Sequence, residues 1–347
     1  MISLKKPINI TNIIEEIYSE YVNTDYPWII GYSGGKDSST VLKLVFQALK
    51  DLKTYHKPIT LLYCDTGVEI PIVNNYVKST LKQFECECKK HNIPIKIKIA
   101  TPKLNNSYFV KIIGRGYPSP TNKFRWCTNR LRITPVKEVI ENTYKNKKTV
   151  VLLGVRNGES TERTKTIANH KTDSKYLRQS SNNNALIYSP ILNFSTSDIW
   201  EFLANETEPF SINGKSLNKL YQKASALKKQ TDIYDLSYGD ARFGCWACTV
   251  IRKDKAVTNL ILDGHHELLP LLNFRNWLMT IRDDKKYRQN KRRNGQNGMG
   301  PFTLEARKII LEQLLKAQKE SGLSLITNKE IKLIKELWEK DKGDYRS

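Results

Sequence analysis

Short apolar runs that break into polar turns and then give way to helical periodicity recur along the first half of this chain. They leave little choice of fold. The run YPWIIGYS (26–33) stops at two glycines, and in the following SSTVLKLVFQALKDL, Val41, Leu44, Val45, Ala48 and Leu49 share one helical face. PITLLYCDTG (58–67) reads as a second strand, IPIVNNYVKSTLKQFECECKKHN as a second helix and IPIKIKIA (93–100) as a third strand. KTVVLLGVRNGES (148–160) is a fourth strand that again ends in a glycine-bearing turn. Strands alternating with helices predict an α/β fold, a parallel sheet with crossover connections. The polar turns fall at carboxyl ends of strands, where open sheets of this kind take their ligands.

Beyond residue 160 the pattern loosens. HKTDSKYLRQSSNNNA (170–185) is expected to be a mobile polar loop. SPILNFSTSDIWEFL (189–203) predicts a strand and turn, then a helix capped near Ser195 or Ser197. The tail is helical at both ends around a basic, glycine-rich segment, 285–300. We therefore divide the chain into a sheet domain, 1–205, and a mainly helical C-terminal region, 206–347, that carries a C-x-x-C motif and the basic segment.

The turn after the first strand, Ser33–Ser39, is the most informative stretch. Gly34 and Gly35 permit a tight bend whose N–H groups face inward, and the helix beginning near Asp37 adds its positive end. Lys36 adds a full charge, while Ser33, Ser38 and Ser39 add hydroxyl groups. This is a phosphate cradle but not a Walker A loop, which needs four residues between its glycines. The consecutive residues Ser-Gly-Gly-Lys-Asp-Ser resemble the PP-loop of the ATP pyrophosphatase superfamily. DTGVEIP (65–71) resembles the segment beside the nucleotide in the PAPS reductase branch, which puts Asp65 and Thr66 near adenosine or metal; Asp65 as a plain helix cap is the competing reading.

A net charge of +22 on 347 residues favours a polyanionic partner, most commonly nucleic acid. The apolar runs are too short to span a bilayer, and Glu15, Glu16 and Glu20 interrupt the N-terminal stretch, so no membrane association and a cytoplasmic location are expected. In that compartment six cysteines point to metal binding or catalysis before disulfides. FGCWACTVIRKDK (243–255) contributes Cys245 and Cys248, and KFRWCTNRLRITP (123–135) contributes Cys127. The latter resembles the reductase-branch stretch CCxxRKxxPL, with Trp126 in place of the first cysteine. One distant cysteine plus C-x-x-C suits an iron–sulfur cluster or zinc; a redox pair and two ordinary buried thiols remain the alternatives. Cys64, at the same sheet edge, could approach as a fourth thiol; otherwise a non-cysteine group completes the cluster or one iron is left open.

LLGVRNGESTER (152–163) resembles the GxRxxES–xR element of the same branch, in which Gly154 turns the chain and Arg156 and Arg163 present forked donors to phosphate, with Glu159 orienting one of them. Together with RGYPSPTNKFRWC and GPFTLEARKIILEQLL, these motifs resemble the DndC type of DNA phosphorothioation sulfurtransferase, to which the SspD proteins are similar. The resemblance implies an adenine nucleotide alpha hydrolase-like (HUP) domain with a helical extension. It implies ATP and Mg²⁺ on Ser33–Ser39, catalytic roles for Lys36, Asp37, Arg156 and Arg163, and a cluster, expected as 4Fe-4S, on Cys127, Cys245 and Cys248. The implied partners are DNA, a cysteine desulfurase that supplies sulfur, and other phosphorothioation-system proteins. KKYRQNKRRNGQNG (285–298), with RGYPSPTNKFR (115–125), is expected to hold the DNA backbone, against the plainer reading of a solvated loop. A tRNA thiolase, a PAPS or APS reductase and a nucleic-acid-binding scaffold with a structural metal site are the alternatives.

Overall fold

The computed structural model describes residues 8–145, 147–158, 165, 167, 169, 175–178, 184–225 and 241–344. Its centre is a six-stranded sheet in the order β3-β2-β1-β4-β6-β5. The strands are β1 (Trp28–Tyr32), β2 (Ile59–Cys64), β3 (Ile95–Ala100), β4 (Thr149–Leu152), β5 (Tyr176–Arg178) and β6 (Ala185–Tyr188). All neighbours pair parallel except β5, which runs antiparallel to β6. The expected parallel sheet with a helical C-terminal region is therefore present. The chain steps outward from β1 through β2 to β3 and then returns to place β4 on the other side of β1. That reversal opens a crevice above the carboxyl ends of β1 and β4.

Both faces of the sheet are covered, which is why β1 and β4 are nearly uninterrupted apolar runs. Helices α1 (Ile10–Val22), α2 (Lys36–Leu49) and α3 (Pro71–Lys90) contribute to the main core along with Trp28, Ile30 and Tyr32. On the other face Ile29, Leu62 and Val151 meet Val136, Val139, Ile140 and Tyr144 of α4 (Thr134–Tyr144). The edge strand β3 carries Lys96 and Lys98 outward, a common guard against strand addition.

The main core does not stop at residue 205. It runs from Ile17 through Trp200, Leu217 and Phe274 to Trp338, so residues on both sides of that point share one apolar interior. Lys43, fully buried on α2, donates to the carbonyls of Pro209 at 3.4 Å and Ile212 at 3.1 Å. Further helices, Gly214–Ser225, Lys255–Leu262, Leu269–Arg282, Leu304–Ser321 and Asn328–Asp344, close the far end. Among the described residues no helix is long and apolar enough to cross a membrane.

Three local expectations change. Residues 176–178, read as part of a mobile loop, form β5, because their partner β6 offers a free edge; most of the remainder of 170–185 lies outside the described residues. The strand expected from 189 sits earlier, at Ala185–Tyr188, and Ser195 caps the following helix, Thr196–Asn205, in a capping box with Asp198. The basic segment is no loose loop: bridges Arg288↔Phe302 and Lys291↔Asn297 fold it into a hairpin.

Candidate active site

The turn after β1 has the geometry of a cradle. Gly34 adopts φ +76°, and a Cβ there would stand 2.1 Å from Val77 Cγ2 on α3. A side chain is thus excluded by conformation and by space together. Gly35 is the N-cap of α2 and provides no side-chain cap; Lys36 N donates instead to the Tyr221 hydroxyl at 3.2 Å, an acceptor brought in from a distant helix. Ser38 Oγ donates to Gly35 O at 3.0 Å and lies 3.1 Å from Ser33 Oγ, which holds the turn closed. Ser39, fully buried, belongs to the first turn of α2 and donates its N–H to Gly35 O at 3.0 Å.

A chain of charges crosses the crevice. Lys36 Nζ lies 3.1 Å from Asp37 Oδ2, and Arg156 Nε donates to Asp37 Oδ1 at 2.5 Å. Arg156 is 3% exposed and also donates to Phe194 O at 3.1 Å and Thr196 Oγ1 at 3.5 Å. It therefore ties α2 to the β4 turn and to the helix Thr196–Asn205. Gly154 lies against the same helix start, where a Cβ would come within 2.7 Å of Asp37 C. Arg163 and Glu159 lie outside the described residues.

Asp65 and Thr66 part company. Asp65 Oδ1 accepts from Gly67 N at 3.0 Å and Oδ2 pairs with Lys78 at 2.8 Å, so it braces its own turn; the N-cap of α3 is Ile70. Thr66 is buried, donates to Glu69 Oε1 at 2.6 Å and has Cys245 Sγ at 3.8 Å. It faces Cys245.

The C-x-x-C turn is clamped from two sides. Glu69 and Cys245 form an antiparallel bridge, with Trp246 N donating to Val68 O at 2.9 Å. On the other side the fully buried Arg275 donates to Cys248 O at 2.7 Å and to the carbonyls of Ile251 and Arg252. Cys127 begins a π-helical turn, Thr128–Ile133, whose Arg132 points a guanidinium at Cys245 Sγ, 3.9 Å away. The thiols of Cys127, Cys245 and Cys248 all act electrostatically on the buried Tyr108, whose hydroxyl donates to Ala247 O at 2.7 Å. Trp126, standing where the resembling motif has its first cysteine, stacks on Tyr108 at 5.7 Å.

Burial pushes the Cys245 thiol up to about 11 and Cys64 up to about 12, and it raises Cys127 as well. Burial likewise raises Glu69, against two hydrogen bonds from Thr66. Thiols held protonated in this way become ligands when a cation displaces the proton. Their soft donors and shared setting fit a soft metal or cluster. In the present conformation, however, no group of three or more His, Cys, Asp or Glu among the described residues stands at metal-holding distance. Cys127, Cys245 and Cys248 are each partly buried.

Sequence patterning alone misses Tyr221, Arg132, Glu69 and Arg275. Tyr221 belongs to the apolar stripe of the helix Gly214–Ser225, so it reads as core, yet its hydroxyl accepts from Lys36 N at 3.2 Å. Arg132 and Glu69 sit inside quoted motifs without a spacing that distinguishes them. Arg275 looks like a surface residue of an amphipathic helix.

A cavity lined by Pro27, Lys57, Pro58 and Tyr144 opens at the opposite, amino ends of the strands and contains none of these residues.

The sequence model of the phosphoadenosine phosphosulfate reductase domain matches residues 27–251, more than half of the chain. Two Methanocaldococcus jannaschii proteins, MJ0066 and MJ0973, are 29% and 25% identical over 237 residues, 68% of this chain. The matched stretch spans 39% and 45% of their own lengths, less than half of either relative. Among solved structures, the U34-tRNA thiolase NcsA of Methanococcus maripaludis with its [4Fe-4S] cluster is 10% identical at TM-score 0.37, covering 78% of this chain and 80% of that one. The NH3-dependent NAD synthetase of Campylobacter jejuni is 16% identical at TM-score 0.33, covering 79% and 95%. Likenesses of that degree carry no argument about chemistry.

Proposed function

The chain belongs to the phosphoadenosine phosphosulfate reductase domain family, and on that premise we propose that it is an ATP-dependent sulfurtransferase of DNA phosphorothioation. The observation that carries the reading is the start of α2 at Gly34–Lys36, where the N-cap Gly35 supplies no side chain, set above β1 at the point where strand order reverses. Helix-start N–H groups, a lysine and a glycine bend converge there on the space a nucleotide's phosphates need.

In the proposed reaction a non-bridging oxygen of a DNA phosphate attacks the α-phosphorus of ATP, and pyrophosphate leaves. The DNA phosphate now carries AMP through that oxygen. Hydrosulfide, formed when a thiol reductant delivers two electrons to the desulfurase's persulfide sulfur, then attacks the DNA phosphorus and passes its proton to solvent, AMP departs with the oxygen, and a phosphorothioate remains. Lys36 neutralises charge on the departing pyrophosphate, while Arg156 holds Asp37 and the first turn of α2 in register. Such work is positioning and electrostatics, the usual protein share in phosphoryl chemistry. Mg²⁺ bound with the nucleotide would add to Lys36 in neutralising phosphate charge. Cys127, Cys245 and Cys248 would hold an iron–sulfur cluster, which when bound supplies a place for sulfur donated by a cysteine desulfurase. Other proteins of the modification system complete the set of partners.

The reading is tested by mass spectrometry of nuclease-digested DNA from a host with and without this protein. Phosphorothioate dinucleotides that require both the protein and Lys36 are the expected result. Their presence regardless of the protein, or their absence with all partners supplied, contradicts the proposal.

A further inference from the structure

The basic segment is built as a projecting arm. Its sequence between 285 and 298 holds six Lys or Arg residues and no acid. Gln289 N donates to Pro301 O at 2.8 Å, Gly300 N to Gln289 O at 2.7 Å and Gly298 N to Asn290 O at 2.9 Å, pairing the two legs of the hairpin. Arg292 and Gly295 close the tip, with Gly295 N donating to Arg292 O at 2.9 Å. The legs approach so closely at the base that a Cβ on Gly300 would lie 1.8 Å from Lys291 O.

The base is fixed and the tip is free. Arg288 is buried, donates to Gly300 O and Arg282 O, both at 2.6 Å, and lies over the fully buried Phe302 ring at 5.3 Å. Phe302 N donates to Gly116 O at 2.7 Å, which docks the arm on the strap 115–120. Arg293 donates to Arg115 O and covers the Tyr117 ring at 4.7 Å, so it serves as a brace. Residues 291–299 are all exposed. Below the arm, the charges that act on Lys111 are Arg130, Arg115 and Arg293, all positive, and they add to burial in lowering its pKa. Packing like charges together in this way costs stability unless a polyanion neutralises them.

We propose that the hairpin Arg288–Phe302 enters the major groove of duplex DNA, with Arg292, Asn294 and Gln296 at the base edges and the exposed Arg115 and Arg130 on the flanking phosphates. Charge selects a nucleic acid, and shape selects the groove. A two-stranded ribbon is a known fit to the roughly 12 Å wide major groove of B-form DNA, whereas the roughly 6 Å minor groove is too narrow for it. The exposed part of each leg, about three residues, reaches about 10 Å at strand rise, enough for the groove's depth of about 8.5 Å. The major groove of A-form RNA is too narrow to be read by side chains. Arginine, asparagine and glutamine are the side chains suited to guanine and adenine edges. Asn294 Nδ2 now donates to Gln296 Oε1 at 3.0 Å, a pair that opens onto bases without any loss from the core. This inference rests on the reading of DNA as substrate only for its choice of ligand, because it concerns binding without ATP.

The test uses the full chain, a fluorescently labelled DNA duplex, the RNA duplex of the same sequence, and dimethyl sulfate footprinting of guanine N7. Wild type is expected to bind the DNA duplex and protect guanine N7. The combined variant Arg292→Ala, Asn294→Ala, Gln296→Ala is expected to keep the wild-type melting temperature, lose at least tenfold in DNA affinity and lose the protection. Equal affinity and protection in wild type and variant overturn the inference and leave the proposed reaction standing. Equal binding of duplex RNA, with the same dependence on the arm, also overturns it. Arm-dependent DNA binding without phosphorothioate formation in the host has the converse meaning: the arm's role holds and the reaction does not.

Discussion

At Gly34 one methyl group separates a working cradle from a broken one. Gly34→Ala brings a Cβ to 2.1 Å from Val77 Cγ2 at a φ of +76°, so it is expected to cost about 1–3 kcal/mol and most ATP turnover. Adding Val77→Ala removes the colliding methyl but not the backbone penalty. Chemical denaturation of the single and double variants should therefore show partial recovery; full independence of the two changes contradicts the packing argument. Cys245 is the corresponding test among the thiols. Thr66, Glu69 and Arg132 surround its sulfur, and burial keeps it protonated to about 11 until a cation takes the proton's place. Anaerobically purified protein is expected to show broad visible absorbance that disappears in Cys245→Ser. A colourless preparation with one zinc per chain contradicts a cluster.

Arg156 shows how elements, once formed, depend on single side chains. It joins α2, the turn after β4 and the helix Thr196–Asn205. Arg156→Ala leaves Asp37 to Lys36 alone and takes the donor from the buried Phe194 carbonyl, and about 1–3 kcal/mol of stability should go with it, read by the urea midpoint. Arg156→Lys keeps the charge but not the fork, so it should recover only part. The same residue marks what the sequence discloses and what it conceals. The strands β1, β2 and β4 are legible because they are short apolar runs ending in polar turns, and the cradle is legible because its residues are contiguous. β5 is not: Tyr176–Arg178 lies in a polar stretch and becomes a strand only because β6 supplies a partner. The hairpin Arg288–Phe302 is hidden by its charge, since its stability resides in Arg288, Gly300 and Phe302 and not in any apolar alternation. Tyr221 and Arg275 reach the site across the tertiary fold, a relation that no local spacing records.

The whole molecule keeps buried lysines within a strongly basic chain, and this leaves a signature in its pH response. Burial lowers Lys43 to about 8, although Glu206, Glu87 and Glu208 oppose the shift. Below that pH the folded and unfolded chains both hold the proton. Between about 8 and the ordinary lysine range near 10.4 only the unfolded chain does, so folding is increasingly favoured as pH rises. Wild type should gain on Lys43→Met by up to about 1.4 kcal/mol per pH unit across that window, measured by urea unfolding. Parallel stability curves contradict the assignment. Above all, the account depends on what the turn after β1 does to a nucleotide. ATP labelled separately at the α and γ phosphates, incubated with Mg²⁺, DNA and the sulfur source, distinguishes the bond that breaks. The account predicts AMP and labelled pyrophosphate, reduced at least a hundredfold in Lys36→Ala; ADP and orthophosphate, or equal release by wild type and variant, would contradict it.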